Sequence, residues 1–192
     1  MPSPAYDQWT EHVSDAAALQ RLREVGGTRV RNAWIPLTPL ETDVLGRAAV
    51  VALSAAFERY VVELFRVAAV EVGVSIFRVE EHLLHFAGEQ RRFANPNAAN
   101  VGDLFGLVFP GDSVWVGVCT PSRSEESAQR FVDDHQEDRH GVAHGRLRCS
   151  FSVPEMRRRA AEFEQIVQAL DESAGVLVRS RRKDHRCSWL PE

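Results

Sequence analysis

The chain has 192 residues, 44% of them hydrophobic and 26% charged, with a formal charge of −4. These values suit one folded domain and exclude wholesale disorder. No run approaches the ~20 uncharged apolar residues of a membrane-spanning helix. Met1 to Asp15 is too acidic and polar for a secretory or transit peptide. Cys119, Cys149 and Cys187 are far apart and odd in number. They argue against a disulfide framework or a cysteine zinc site and set a reducing cytoplasm as the expected location.

The predicted elements are mostly helical. Asp7 to Val25 has a moderately apolar helical pattern that Gly26-Gly27 ends, and Gly26 to Leu37 reads as a loop or extended connector. Thr38-Pro39-Leu40-Glu41 is a start signal: Thr38 caps, Pro39 lacks only an N–H that the first turn does not use, and Glu41 completes a capping box. The helix that follows should reach about Glu71. Ser75 to about Ala87 is a second amphipathic stretch. Phe93 to Asn100 is a polar loop, and Val101 to Phe109 a short helix closed by Pro110-Gly111. Val114 to Val118 is an apolar run that suits a short strand or a buried extended segment. Glu125 to Asp138 should be helical. Ser152-Val153-Pro154-Glu155 is a second capping box, opening a last helix to about Val178. The expected fold is all-α, an up-and-down bundle of about four main helices plus an N-terminal helix. Its organisation divides into residues 1–37 (N-terminal helix and connector), 38–178 (bundle) and 179–192 (basic tail, expected to fray).

Charge is unevenly spread. Met1 to Asp138 holds 12 basic against 20 acidic residues, and Arg139 onward holds 11 against 7. Lys183 is the only lysine. Arginine suits phosphate, because its planar fork donates two parallel hydrogen bonds.

Two features point to chemistry. In the helix from Pro39 to Glu71, Val44, Val51, Ala55, Val62, Phe65 and Ala69 recur at spacings expected of the core stripe, and Glu58 falls among them. Either Glu58 orients a cleft-lining arginine, or it lies at the edge of the stripe and reaches water. The second feature is Asp138-Arg139-His140-Gly141-Val142-Ala143-His144-Gly145. His140 and His144 at i, i+4 suit a metal if His135, Asp134 or Asp138 adds a third ligand, although Gly141 stands where a zinc-protease motif has glutamate. Alternatively, Arg139 and His144 form a phosphate-cleaving pair that needs no metal. Imidazole moves a proton near neutrality, and guanidinium balances charge on a pentacovalent phosphorus. Ordinary packing roles for both histidines are the third option.

Arg139-His140-Gly141-Val142-Ala143-His144 resembles the R-x4–6-H signature of the HEPN superfamily. Phe57-Glu58 in a long early helix, and Phe93-Ala94-Asn95-Pro96-Asn97 followed by Asp103-Leu104-Phe105-Gly106, resemble its RiboL-PSP-type branch. Together these cover roughly Thr38 to Val178. The resemblance implies a homodimeric helical bundle whose motifs meet in an interface cleft. It implies a metal-independent endoribonuclease of toxin or antiviral-defence type, without cofactor, with an antitoxin or defence-system protein as a further partner. His144 would act on the 2′-hydroxyl or the leaving oxygen, Arg139 on the transition state, Glu58 would hold Arg139, and His140 would be the accessory polar residue. The products would carry a 2′,3′-cyclic phosphate and a 5′-hydroxyl. Arg146 stands where a subgroup silenced by nucleotide transfer has tyrosine, so that control is not expected. Arg146 and Arg148 are expected to bind RNA. Arg157 to Arg159 and the tail arginines suit either a phosphate track or a solvated face. The alternatives are a non-catalytic HEPN module that binds RNA or a protein, and a metal-binding bundle.

Overall fold

The start signals at Thr38 and Ser152 are the starts observed in the computed structural model, which describes residues 2–30, 33–86, 93–145, 151–184 and 186–190. Among these residues there are six helices: α1 (Pro4–Val25), α2 (Pro39–Glu71), α3 (Ile76–Leu84), α4 (Ala98–Gly106), α5 (Glu125–Ala143) and α6 (Val153–Arg181). The fold is an all-α bundle with an N-terminal helix. The Thr38 capping box forms as expected, with the Thr38 N–H donating to Glu41 at 2.7 Å and Thr38 Oγ1 accepting from the Glu41 N–H at 3.2 Å. Ser152 caps α6 with its side chain, accepting from the Glu155 N–H at 3.3 Å. The connector after α1 is a small antiparallel hairpin, β1 (Gly27–Val30) and β2 (Ala33–Pro36). Gly27 is required there, since a Cβ would meet the Ile35 carbonyl and the Trp34 ring at 2.6 Å.

Side-chain pairs set the helix directions. Tyr60 donates to the Val167 carbonyl at 2.8 Å and Arg182 reaches Glu71 at 2.5 Å, so α6 runs parallel to α2. The Ser3 N–H donates to Asp171 at 2.9 Å, while Arg157 at the other end pairs with Glu24, so α1 runs antiparallel to α6. Arg159 pairs with Asp138 at 2.8 Å and Phe163 packs on Phe131, so α5 also runs antiparallel to α6.

The core lies where these helices meet. Trp9, Phe57, Tyr60 and Phe163 are completely buried. The Phe163 ring lies 6.3 Å from Trp9, 5.1 Å from Phe57, 5.2 Å from Phe131 and 4.8 Å from His135, centroid to centroid.

Several expectations change. The buried face of α2 carries Ala49, Leu53, Phe57, Tyr60 and Leu64. At about 100° per residue, this face lies opposite Val44, Val51, Ala55 and Val62, while Phe65 and Ala69, the last two members of the expected stripe, are completely buried. Val44 is 47% and Val51 36% exposed. α2 is apolar on two sides: in its first half only the side with Phe57 and Tyr60 is buried, and toward its end both sides are. Glu58 is therefore not a charge in the core. It is half-buried on the outer flank and already engaged in a polar interaction.

Val114 to Val118 forms turns rather than a strand, with Val118 N–H to Trp115 carbonyl at 3.0 Å and Gly117 at φ 79°. α4 starts earlier than expected, because Asn97 caps it and accepts from the Asn100 N–H at 2.7 Å. The tail folds back instead of fraying. Cys187 and Trp189 are buried, and the Trp189 indole donates to the Asp171 carbonyl at 3.3 Å. Gly175 makes the seat, since a Cβ there would overlap Leu190. No helix among the described residues is long and apolar enough to cross a membrane.

Removing the Phe163 ring leaves a void bordered by three other helices. The expected cost of Phe163→Ala is about 3–5 kcal/mol, a large share of a domain's stability. Urea denaturation checks this; a loss below ~1 kcal/mol would show that the ring is not central.

Candidate functional site

The Arg–His segment closes α5. Its helical run reaches Ala143, beyond the expected Asp138, because Gly141 is accommodated inside the helix and buried with Val142. His144 is the C-cap, its N–H donating to the His140 carbonyl at 3.1 Å, and Gly145 leaves the helix at φ 67°. A left-handed exit of this kind favours glycine. His140 and His144 are exposed, with ring centroids 4.3 Å apart and planes at 55°. Arg139 is half-buried. Five residues of helix turn the chain by about 500°, so Arg139 and His144 leave α5 about 140° apart. One chain thus presents two adjoining imidazoles to solvent, with the arginine on the flank between them and the core. Arg146 and Arg148 lie outside the described residues.

His140 also borders an open cleft of about 340 Å3. Its walls are the segment before α4 with that helix's first turn (Asn95, Asn97, Ala99) and α5 (Asp133, Gln136, Glu137, His140). The polar loop and the histidine motif, two of the separated stretches behind the family resemblance, therefore face one another. Asp133 ties the walls together by accepting from the Ala98 N–H at 2.7 Å, at the start of α4. Gln136 is buried, and its amide nitrogen has no acceptor. The carboxylates of Asp133 and Glu137 make this wall acceptor-rich, which favours groups that donate hydrogen bonds over bare phosphate.

Behind the exposed face lies a buried polar group that sequence reasoning noted only as a spare metal ligand. His135 is fully buried with its ring edge against Phe163. Arg159 NH1 lies 3.3 Å from His135 Nδ1 and 2.8 Å from Asp138. Arginine only donates, so Nδ1 accepts and the ring proton sits on Nε2, which is buried without a partner. Burial chiefly, and the Arg159 charge second, push the His135 pKa down to about 3; the nearby Val50 backbone opposes this weakly. His135 is therefore a neutral packing group, not a proton carrier near pH 7. Arg159 also stacks on Phe151 at 4.0 Å. The Arg157–Arg159 run is thus split: Arg157 pairs with Glu24, Arg159 with Asp138, and Arg158 is exposed. In the tail, Arg181 pairs with Asp112 and Arg182 with Glu71 and Asp184. Trp9, Trp115 and Trp189 are core, leaving Trp34, at 55% exposure, as the one open indole.

His135 and Asp138 are thus turned to Arg159 and away from the histidine pair. Among the described residues no group of three or more His, Cys, Asp or Glu is arranged to hold a metal ion. Comparison with known proteins finds no family model that matches the chain, no matching curated protein and no matching solved structure.

The depressed pKa of His135 has a signed consequence. Below pH 6.5 the unfolded ring takes a proton that the native ring refuses until about pH 3. Acid therefore favours unfolding over that window. Between pH 6.5 and pH 4 the wild type should lose roughly 3 kcal/mol relative to His135→Phe, which keeps a ring on Phe163 but cannot titrate. Urea denaturation across this range checks it, and equal slopes for the two proteins would refute it.

Proposed function

We propose that the chain is a metal-independent endoribonuclease of HEPN type, acting as a homodimer in a toxin or antiviral-defence role. The observation that carries this reading is the pair of exposed, adjoining rings of His140 and His144 at the end of α5, five residues beyond Arg139 at most. Two neighbouring imidazoles on one surface suit a reaction that removes a proton at one oxygen and delivers one at another. In the proposed reaction His144 takes the proton of a ribose 2′-hydroxyl. The 2′-oxygen bonds to phosphorus, the bond to the 5′-oxygen breaks, and that oxygen leaves with a proton supplied by a second imidazole. Arg139 balances the charge on the pentacovalent phosphorus. His140 is the accessory polar residue, Glu58 the carboxylate that holds the arginine, and Arg146 and Arg148 the first contacts for the RNA backbone.

Two further observations support a paired site. Arg139 and His144 diverge around α5, so a second copy would be needed to bring one of each onto a single phosphate. Leu40, Val44, Val51 and Ala55 form an outward apolar line on α2, with Leu40 69% exposed. A flank of this kind is expected of a surface that meets another protein. Because α5 runs opposite to α2, the start of this line lies toward the end of the bundle where α5 finishes.

Purified protein should cleave total RNA in excess EDTA, leaving cyclic-phosphate and 5′-hydroxyl ends. His144→Ala and Arg139→Ala should each lower the rate by about 10²–10⁴-fold without loss of helicity. Binding of RNA with no cleavage at any concentration would reject the nuclease and favour a non-catalytic binding module.

The pairing surface has its own check. Val44→Glu with Val51→Glu should leave the circular dichroism spectrum unchanged, since both side chains are exposed, and convert a dimer to a monomer by light scattering. A dimer that survives the double change places the interface elsewhere.

A further inference from the structure

Away from the histidine pair, a partly enclosed cavity of about 260 Å3 lies between α1, α2 and α6. Its apolar walls include Leu53, Met156 and Ala160, and its polar lining is Gln20, Arg21 and Arg157. Gln20 is 6% exposed. Its oxygen accepts from Arg23 at 3.2 Å, and because arginine only donates this fixes which way the amide faces. The amide nitrogen is then left buried without an acceptor. An unmet buried donor beside a small apolar cavity is costly, and an acceptor brought by a ligand would relieve it. Arg21 is exposed and has no partner among the described residues, while Arg157 is paired with Glu24. Arg21, Arg157 and the Arg23 guanidinium on Gln20 outnumber the one carboxylate of Glu24, so the local charge is positive and favours an anion.

We infer that this cavity is a binding site for a small carboxylate with an apolar body. The carboxylate accepts from the Gln20 amide and the Arg21 guanidinium at the mouth, and the apolar body lies against Leu53, Met156 and Ala160. This has the form of small-molecule sites in general, an apolar hollow with a few converging polar groups. It does not depend on the nuclease reading and uses none of that site's residues.

The test is calorimetric titration of the full chain with octanoate, and with octanol as the uncharged counterpart. Octanoate should bind saturably at one site per chain and raise the melting temperature. Octanol should bind about tenfold more weakly or less. Arg21→Gln should weaken octanoate about five- to tenfold, and Ala160→Leu, which fills the cavity, should abolish binding. Arg21 is exposed, so Arg21→Gln gives a decisive reading even if Ala160→Leu fails to fold, which its melting curve would reveal. No saturable octanoate binding, binding indifferent to Arg21→Gln, or octanol binding as tightly would each overturn the proposal.

Discussion

The Phe163 ring meets Trp9 of α1, Phe57 of α2, and Phe131 and His135 of α5. Much of the remaining geometry follows from that meeting. Once Phe131 and His135 are turned inward, the rotation of α5 is no longer free. At about 100° per residue, Asp133, Glu137, His140 and His144 fall on the side opposite His135. They form the exposed edge that borders the cleft and carries the imidazole pair. Arg139, one turn after His135, falls beside the buried face and is half-covered. The core contact thus decides which histidines meet solvent and which one becomes a neutral core group.

Arg159 secures the same arrangement from the side. Its guanidinium spans the Phe151 ring, the Asp138 carboxylate and the His135 ring nitrogen. It therefore fixes the segment entering α6 against the last turns of α5. An imidazole this buried tolerates a guanidinium only while it is neutral. Asp138 supplies the compensating charge. The set is close to neutral as a whole, which suits a partly buried group better than any member alone. Four arginines of the C-terminal part, Arg157, Arg159, Arg181 and Arg182, are therefore engaged within the fold, on Glu24, Asp138, Asp112, Glu71 and Asp184. A positive surface for RNA must then rest on few residues. In the proposed nuclease these are Arg139, Arg146, Arg148 and the exposed Arg158.

What the sequence discloses and what it conceals follow from the range of each interaction. Thr38 with Glu41 and Ser152 with Glu155 are contacts within one turn, so their residue types announce the helix starts directly. The end of α5 was hidden because Gly141 looks like a terminator but is helical and buried with Val142. The turns at Val114 to Val118 look like a strand because the pattern of apolar residues does not register Gly117's positive φ. On α2 two faces are apolar, and only the partners on α1 and α6 decide between them. Glu58 stands out because the stripe it shares is exposed as far as Ala55 and fully buried only at Phe65 and Ala69. Arg139, His140 and His144 were legible as a chemical set, since their spacing is local. The His135–Arg159–Asp138 group was not, because Arg159 lies on another helix. The unmet Gln20 amide in the second cavity was equally invisible, since nothing in a sequence shows which polar atom will lack a partner.

The outer line of α2 and the divergence of Arg139 from His144 bear on one another. An apolar flank left in water is tolerated when scattered, but Leu40, Val44, Val51 and Ala55 lie in register along one side of a 33-residue helix. Two copies related by a two-fold axis would cover the same flank on each. Such an axis also solves the angular problem at the end of α5. An arginine and a histidine about 140° apart on one helix cannot close on a single phosphate, whereas two such helices facing each other can offer the arginine of one beside the histidine of the other. Glu58, half-buried within that same flank, would then lie at the rim of the interface, where a carboxylate can meet a cation from the opposite copy without full desolvation. In the proposed enzyme the unpaired chain is incomplete by geometry alone, and assembly would set when the chemistry can begin.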